Sequence, residues 1–278
     1  MNTFRVAHLL LCGLLGLSIS QANAAMIKVE VENKSPTDGL FFTPVWLGFH
    51  SGGFDTFDVG AAASPALERL AEDGNPAPLN AALNASQADS IGSVLTAPAG
   101  FAGAPIFDPG DIASATFDLD PLAHRYLNYA SMLIPSNDAF FGNADPLALF
   151  NAGGDFVGDI VISILGANIY DAGTEDNTET GAAFLNQSNP DEGVATTAGL
   201  IAQHSGFTAF PGGNVLGGTN GAGFFFDPVF ADFSRNNGLV EIAQIRISRV
   251  PEPASAALLL AGVFGVGASV RKKRASKR

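Results

Sequence analysis

Residues 27–33, IKVEVEN, are the clearest indication of the fold, because apolar and charged side chains alternate there without interruption. Ile27, Val29 and Val31 fall on one face of an extended segment, and lysine and glutamate side chains fall on the other. A period of two residues is typical of a β-strand with one face in a core and one face in water. The segment is therefore predicted to be a half-buried strand.

Five further segments have the composition of strands. The longest, 155–170, is rich in β-branched residues and predicts a core strand. The last changes phase at Ala243-Gln244, which predicts a β-bulge. The five segments are LFFTPVWLGF (40–49), ATFDLD (115–120), RYLNYASMLI (125–134), DFVGDIVISILGANIY (155–170) and LVEIAQIRIS (239–248).

Helical signals are scarce outside one segment. SPALERLAEDG, residues 64–74, places Ser64 where it can cap a helix and Gly74 where it can end one. The Gly- and Ala-rich stretches 75–103 and 193–223 predict long loops. Several short strands separated by such stretches indicate a single all-β domain, an antiparallel β-sandwich or barrel with one short helix.

The first 24 residues have the pattern of a secretory signal peptide. Arg5 precedes an apolar run from Leu9 to Leu17, and Ala22-Asn23-Ala24 is a small-residue cleavage motif. Cys12, the one cysteine, lies in that run. The domain expected at 25–250 is therefore predicted to be exported and to contain no disulfide.

The segment 251–278 carries a second signal in three parts. Pro251-Glu252-Pro253 is followed by an apolar stretch, 254–270, and by the basic cluster RKKRASKR. Seventeen residues make a helix of about 25 Å, a short transmembrane span. This tail resembles the PEP-CTERM sorting signal of Gram-negative bacteria. The resemblance implies transient membrane anchoring, cutting by an exosortase-type processing enzyme, and delivery to the cell surface or extracellular matrix; a plain anchor helix is the alternative.

The charge of the domain narrows the choice of partners. Between the two terminal segments there are 7 basic and 26 acidic residues, a net charge of −19. Nucleic acid and anionic lipid are poor partners for such a surface, and divalent cations are good ones. A strongly negative surface also keeps a secreted protein soluble, which accounts for most of these carboxylates.

Two acidic segments follow apolar strand patterns and could bind a cation. IPSNDAFFGNADP (134–146) contains Asp138, and YDAGTEDNTE (170–179) contains Asp171 and Glu175. Calcium takes six to eight oxygen ligands, usually from carboxylates, carbonyl groups and water. Two acidic loops at the ends of neighbouring strands could supply them.

These acidic segments, together with an earlier aromatic one, resemble the spondin N-terminal domain in the form found in bacterial secreted proteins. The strongest matches are a Pro-Ser-x-Asp element ending at Asp138 and an Asp-Ala-Gly-Thr-acid element at 171–175. The resemblance covers roughly residues 26–249. The segments that carry it, in order, are LFFTPVWLGFHSGGFDTFDVGAAASPALERLAEDG (40–74), YLNYASMLIPSNDAFFGN (126–143) and YDAGTEDNTE (170–179).

The family resemblance implies an antiparallel β-sandwich and a calcium ion held by Asp138, Asp171 and Glu175. Two departures bear on this. Glu175 stands where animal members have aspartate, so its carboxylate reaches one methylene further, and the cysteines of the animal domains are absent. Asp145 and Asp176 have no counterpart role in the family and are predicted to be turn residues.

The features together predict a non-enzymatic protein with calcium as its cofactor and a structural or adhesive role. Exopolysaccharide or surface proteins are its expected partners. A carbohydrate-binding module without catalysis is one alternative, and an enzyme acting on polysaccharide through Asp55 and Asp58 is another.

The enzyme alternative requires two carboxyl groups about 5–9.5 Å apart across a sugar cleft. The competing interpretation of the same stretch is a polar loop that Phe54 and Phe57 hold against the core. The histidines His50, His124 and His204 are far apart in sequence and lack metal-ligand spacing, which favours structural roles.

Overall fold

The computed structural model describes residues 24–187, 192–209 and 211–251. Within these ranges the chain forms strands, three helices and the 3-10 helix Gly166–Asn168. The helices are α1 (Pro65–Asp73), α2 (Ala77–Ser86) and α3 (Arg235–Gly238). The strands are β1 (Ala25–Asn33), β2 (Phe41–Phe42), β3 (Val45–His50), β4 (Ile91–Leu95), β5 (Ile112–Leu119), β6 (Tyr126–Ile134), β7 (Ala139–Gly142), β8 (Leu147–Ala148), β9 (Ile160–Leu165), β10 (Ile169–Asp171), β11 (Ala202–Gln203) and β12 (Glu241–Arg249).

The strands build two antiparallel sheets. The four-stranded sheet has the order β5-β1-β12-β9, and the larger sheet has the order β11-β10-β7-β6-β3-β4, with β2 and β8 paired to β6. One hydrophobic core contains residues of both sheets, as in the contact between Phe49 and Phe117, whose ring centroids are 4.7 Å apart. The all-β sandwich expected from the sequence is therefore confirmed.

The alternation in β1 works as predicted. Ile27, Val29 and Val31 are fully buried between the sheets. On the opposite face, Lys28 pairs with Glu30 at 2.7 Å. One face of the strand is buried and the other faces solvent, because apolar residues recur at every second position and successive side chains of a strand point to opposite faces.

Two helices cover the outer face of the larger sheet. α1 begins after Ser64, whose Oγ accepts the N–H of Leu67 at 3.2 Å, and ends at Gly74. This helix was predicted, but α2 and β4 were not, since residues 75–103 were expected to be loop. α2 has only Leu79 and Leu83 as buried anchors, so its apolar pattern is too sparse to distinguish it from a loop.

The segment 155–170 differs from its prediction as a single core strand. It contains β9, the 3-10 helix and most of β10, and β10 belongs to the other sheet. β9 is an edge strand on which Val161 is 61% exposed. The break is stabilised by Asn168, whose Oδ1 accepts the N–H of Leu165 at 3.0 Å. A bulge in β12 is confirmed, but it lies between Glu241 and Ala243.

Both terminal signals lie almost entirely outside the described residues. The predicted signal peptide covers 1–24, and the predicted span covers 254–270. Within the described ranges, no helix has the length and apolar character needed to cross a membrane.

Candidate metal centre

The register of two neighbouring strands brings the acidic segments together. β7 and β10 are antiparallel neighbours in which Ala139 pairs with Asp171. Asp138 immediately precedes β7, and its carbonyl oxygen accepts the N–H of Ala172 at 3.2 Å. The two acidic segments therefore lie side by side, but the first contains β7, and β6, the strand that it follows, is separated from β10 by β7.

Asp138 is fully buried, and its two carboxylate oxygens differ in their surroundings. Oδ2 accepts the N–H groups of Thr174 and Glu175, at 2.8 and 3.0 Å, and the Thr174 hydroxyl at 3.2 Å. Oδ1 is buried and has no hydrogen-bond partner among the described residues. Burial raises the pKa of Asp138 to about 6, the Asp171 charge adds to this, and the hydrogen bonds to Oδ2 oppose it.

Asp171 lies at the end of β10, and both of its carboxylate oxygens accept hydrogen bonds. Oδ1 accepts the N–H of Gly173 at 2.7 Å, and Oδ2 accepts the side-chain amide of Asn177. Each oxygen keeps further acceptor capacity, because a carboxylate oxygen has two lone pairs.

Glu175 is 6% exposed, and its carboxylate is turned toward the main chain of a neighbouring segment. Oε2 accepts the Asn137 side-chain amide at 3.2 Å, and the N–H of Gly193 also donates to the carboxylate. A Cβ at Gly193 would lie 1.8 Å from Oε2, so a larger residue there would displace the carboxylate. Burial raises the pKa of Glu175.

The three predicted ligands thus belong to two hydrogen-bonded segments, and each carboxylate accepts from different donors. Among the described residues, no three side chains of His, Cys, Asp or Glu are close enough together to bind one metal ion. Asp138 and Asp171 are close enough for the charge of one to raise the pKa of the other. A buried, unpartnered carboxylate oxygen beside a second carboxylate is suitable donor chemistry for a hard cation, so Asp138 and Asp171 fit calcium.

Several residues around this centre were not singled out from the sequence. Asn137 and Asn177 donate to Glu175 and Asp171, and Thr174 donates to Asp138. Thr174 also hydrogen-bonds to Glu72, a buried residue of α1 whose pKa burial raises to about 7. No spacing in the sequence indicates these contacts, because most of them join segments that are distant along the chain.

The remaining acidic candidates lie on exposed turns. Asp145 is exposed, and Asp176 accepts the Thr196 hydroxyl at 2.9 Å, consistent with the predicted turn roles. Asp55 and Asp58 are exposed beside the buried Phe54 and Phe57. They lie on a polar loop held against the core by those two rings, as in the competing interpretation.

The structure also contains two described cavities. The larger, of about 360 Å³, is lined by Gln203, His204 and Asn237 among others, and the smaller lies beside β9. Neither is lined by Asp55 or Asp58. The arrangement that would favour a glycosidase is therefore not formed by these cavities.

Comparison with known proteins gives the family of the chain. The Spondin_N family model matches residues 33–207, a range that contains every candidate ligand. No curated protein matches the chain. Spondin_N is a non-enzymatic domain of secreted and extracellular-matrix-type proteins. Since the match covers more than half of the sequence, the chain belongs to the Spondin_N family.

Proposed function

We propose that this protein is an exported structural or adhesive domain that binds calcium through Asp138, Asp171 and Glu175. The observation that carries the proposal is the Oδ1 atom of Asp138, which is buried without a hydrogen-bond partner among the described residues. A buried charged oxygen in that state lowers the stability of the fold unless a cation or proton compensates it.

Calcium would supply that compensation and connect the segments. Asp138 precedes β7, whereas Asp171 ends β10 and Glu175 belongs to the loop that follows it. Asp138 and Asp171 would bind the ion directly, and Glu175 would turn away from Asn137 and Gly193 to join them. Such an ion offsets the repulsion of neighbouring carboxylates. Because calcium takes six to eight oxygens, main-chain carbonyl groups and water would complete the coordination.

The destination of the protein is part of the same proposal. The signal at 1–24 and the PEP-CTERM-like tail at 251–278 support export followed by exosortase-type processing. The cell surface or extracellular matrix of a Gram-negative bacterium would be the site of action, with exopolysaccharide or surface proteins as partners. A calcium-rigidified acidic surface suits such an environment.

Thermal unfolding of the purified protein tests the calcium site. A ligand that binds only the folded state at 100 times its dissociation constant stabilises it by about 2.7 kcal/mol, which corresponds to roughly 5–10 °C in melting temperature. We expect calcium to raise the melting temperature of the wild type by this order and excess chelator to remove the effect.

Matched variants assign the effect to the site. Asp138→Asn and Asp171→Asn should lose most of the calcium response, and Glu175→Gln should weaken it. Asp145→Asn, which alters an exposed acid of the same segment, should respond like the wild type. A wild-type melting temperature that is identical in calcium and in chelator would contradict the proposal.

A further inference from the structure

His204 follows β11 and is buried close to the candidate metal centre. It is 5% exposed, and its ring packs on Phe207 and Phe233 with centroid separations of 5.8 and 5.3 Å. Its main-chain N–H donates to the carbonyl oxygen of Ile169 in β10 at 2.9 Å. Backbone and ring contacts together fix the position of the imidazole.

The hydrogen bonds of the ring determine which nitrogen carries the proton. The N–H of Gly206 donates to Nδ1 at 3.0 Å, so Nδ1 is an acceptor and the proton lies on Nε2. Nε2 is 3.1 Å from Oδ1 of Asn177, an amide oxygen that can only accept. His204 therefore donates to Asn177.

The hydrogen bond from His204 also fixes the orientation of the Asn177 side chain relative to Asp171. Its amide nitrogen donates to Oδ2 of Asp171, which requires the amide oxygen to face His204. The opposite orientation of the amide would place oxygen against carboxylate and N–H against N–H. Asn177 is exposed, so without the buried histidine its side chain would be free to take other rotamers.

We propose that His204 is a positioning residue of the calcium centre, acting through Asn177 to hold the carboxylate of Asp171 in a ligating orientation. The inference rests on the proposed function. Groups hydrogen-bonded directly to a metal ligand, as Asn177 is to Asp171, typically contribute 10- to 100-fold to metal affinity, and His204 holds that group in place. The proposal assigns a role to a histidine that lacks metal-ligand spacing in the sequence.

The structure offers a matched control in His50. Its Nδ1 accepts the N–H of Gly52 at 3.0 Å and its Nε2 lies 2.6 Å from Oδ1 of Asn128, the same arrangement as in His204. The ring also packs between aromatic neighbours. Asn128, however, donates to the carbonyl oxygen of Asn143 and not to a candidate ligand.

Calorimetric titration of the purified protein with calcium chloride tests the proposal. His204→Phe keeps an aromatic ring but removes the donor, and we expect about a tenfold weaker calcium affinity. His204→Gln can still donate to Asn177 and should bind within about threefold of the wild type. Asn177→Ala should weaken binding as His204→Phe does, and His50→Phe should leave the calcium affinity unchanged.

A double variant separates positioning from a general loss of stability. If His204 acts through Asn177, the His204→Phe/Asn177→Ala variant should bind calcium no more weakly than either single variant. Should His204→Phe fail to fold, the exposed Asn177→Ala variant carries the test. Equal calcium affinities of wild type and Asn177→Ala, or losses that add in the double variant, would overturn the role of His204 alone. A wild type that binds no calcium would overturn the proposed function, and this inference with it.

Discussion

Buried carboxylates in this protein fall into two kinds, which their hydrogen bonds distinguish. Glu179 is 3% exposed, and its carboxylate accepts the N–H groups of Thr208, Asn214 and Val215 at 2.6–2.7 Å. Both of its oxygens are satisfied, so it fixes a loop and needs no ion. Asp138 has one satisfied oxygen and one without a described partner, so of these two residues it is the one with an oxygen left for a cation.

Glu72 gives a pH-dependent prediction at the residue scale. Its pKa is about 7 in the folded protein, raised mainly by burial, against an ordinary value of 4.5. The folded state therefore binds the proton more tightly than the unfolded state. The resulting stabilisation is complete below the unfolded value and is lost as the pH rises through about 7.

In chelator, we expect Glu72→Gln to gain stability relative to the wild type as the pH is raised. Urea unfolding at about pH 5 and about pH 7.5 measures this, since glutamine has no charge to lose. Glu68→Gln, on the same helix, serves as the control. Parallel pH profiles for wild type and Glu72→Gln would show that the burial of Glu72 does not shift its titration.

At the scale of elements, α1 and α2 pack on the outer face of the larger sheet. α1 ends at Gly74, which has a φ of +64° and lies against Thr43, a residue between β2 and β3. A Cβ at this position would be 2.4 Å from Cγ2 of Thr43. The end of α1 thus packs so closely on Thr43 that there is no room for a side chain at position 74.

Replacing Gly74 with alanine should destabilise the fold by more than backbone strain alone. Gly60→Ala is the matched control, because Gly60 has a φ of +87° but a Cβ there would have nothing within 4 Å. Strain in the left-handed region costs about 1–2 kcal/mol, and overpacking adds roughly 1–3 kcal/mol. Denaturant unfolding should therefore place Gly74→Ala well below Gly60→Ala in free energy of unfolding; equal losses would mean that Thr43 moves aside freely.

At the scale of the whole molecule, several of the few cations are already paired with carboxylates. Arg246 contacts Glu30 and Glu32 at 3.4 and 3.3 Å on the outer face of the four-stranded sheet. Lys34 pairs with Glu32 on the same face, and Arg69 pairs with Asp73 on α1. Residues 25–250 have a net charge of −19, so many carboxylates have no cationic side chain to pair with. Only dissolved salt and bound cations can reduce the repulsion between them.

Sodium chloride should therefore stabilise the calcium-free protein. Raising the salt from about 0.01 M to about 0.1 M shortens the Debye length from about 30 Å to about 10 Å. We expect a higher melting temperature in chelator and a smaller increase when calcium is already bound. An unchanged melting temperature in chelator would show that long-range repulsion contributes little to stability.

The sequence by itself determined the all-β class, the position of α1 and the dry face of β1, because these depend on local periodicity and caps. Ser64, Gly74 and the alternation of 27–33 each act within a few residues of chain. It also identified Asp138, Asp171 and Glu175 as candidates, through motifs that the family shares.

The tertiary structure decided the rest, because the deciding contacts join distant segments. The division of 155–170 between two sheets depends on which strands pair, and α2 is stabilised by packing on the larger sheet. The unpartnered oxygen of Asp138 and the chain of hydrogen bonds from His204 through Asn177 to Asp171 arise only when the fold brings these residues together. Local sequence sets which backbone conformations are favourable, whereas burial and charge compensation depend on neighbours that only folding supplies.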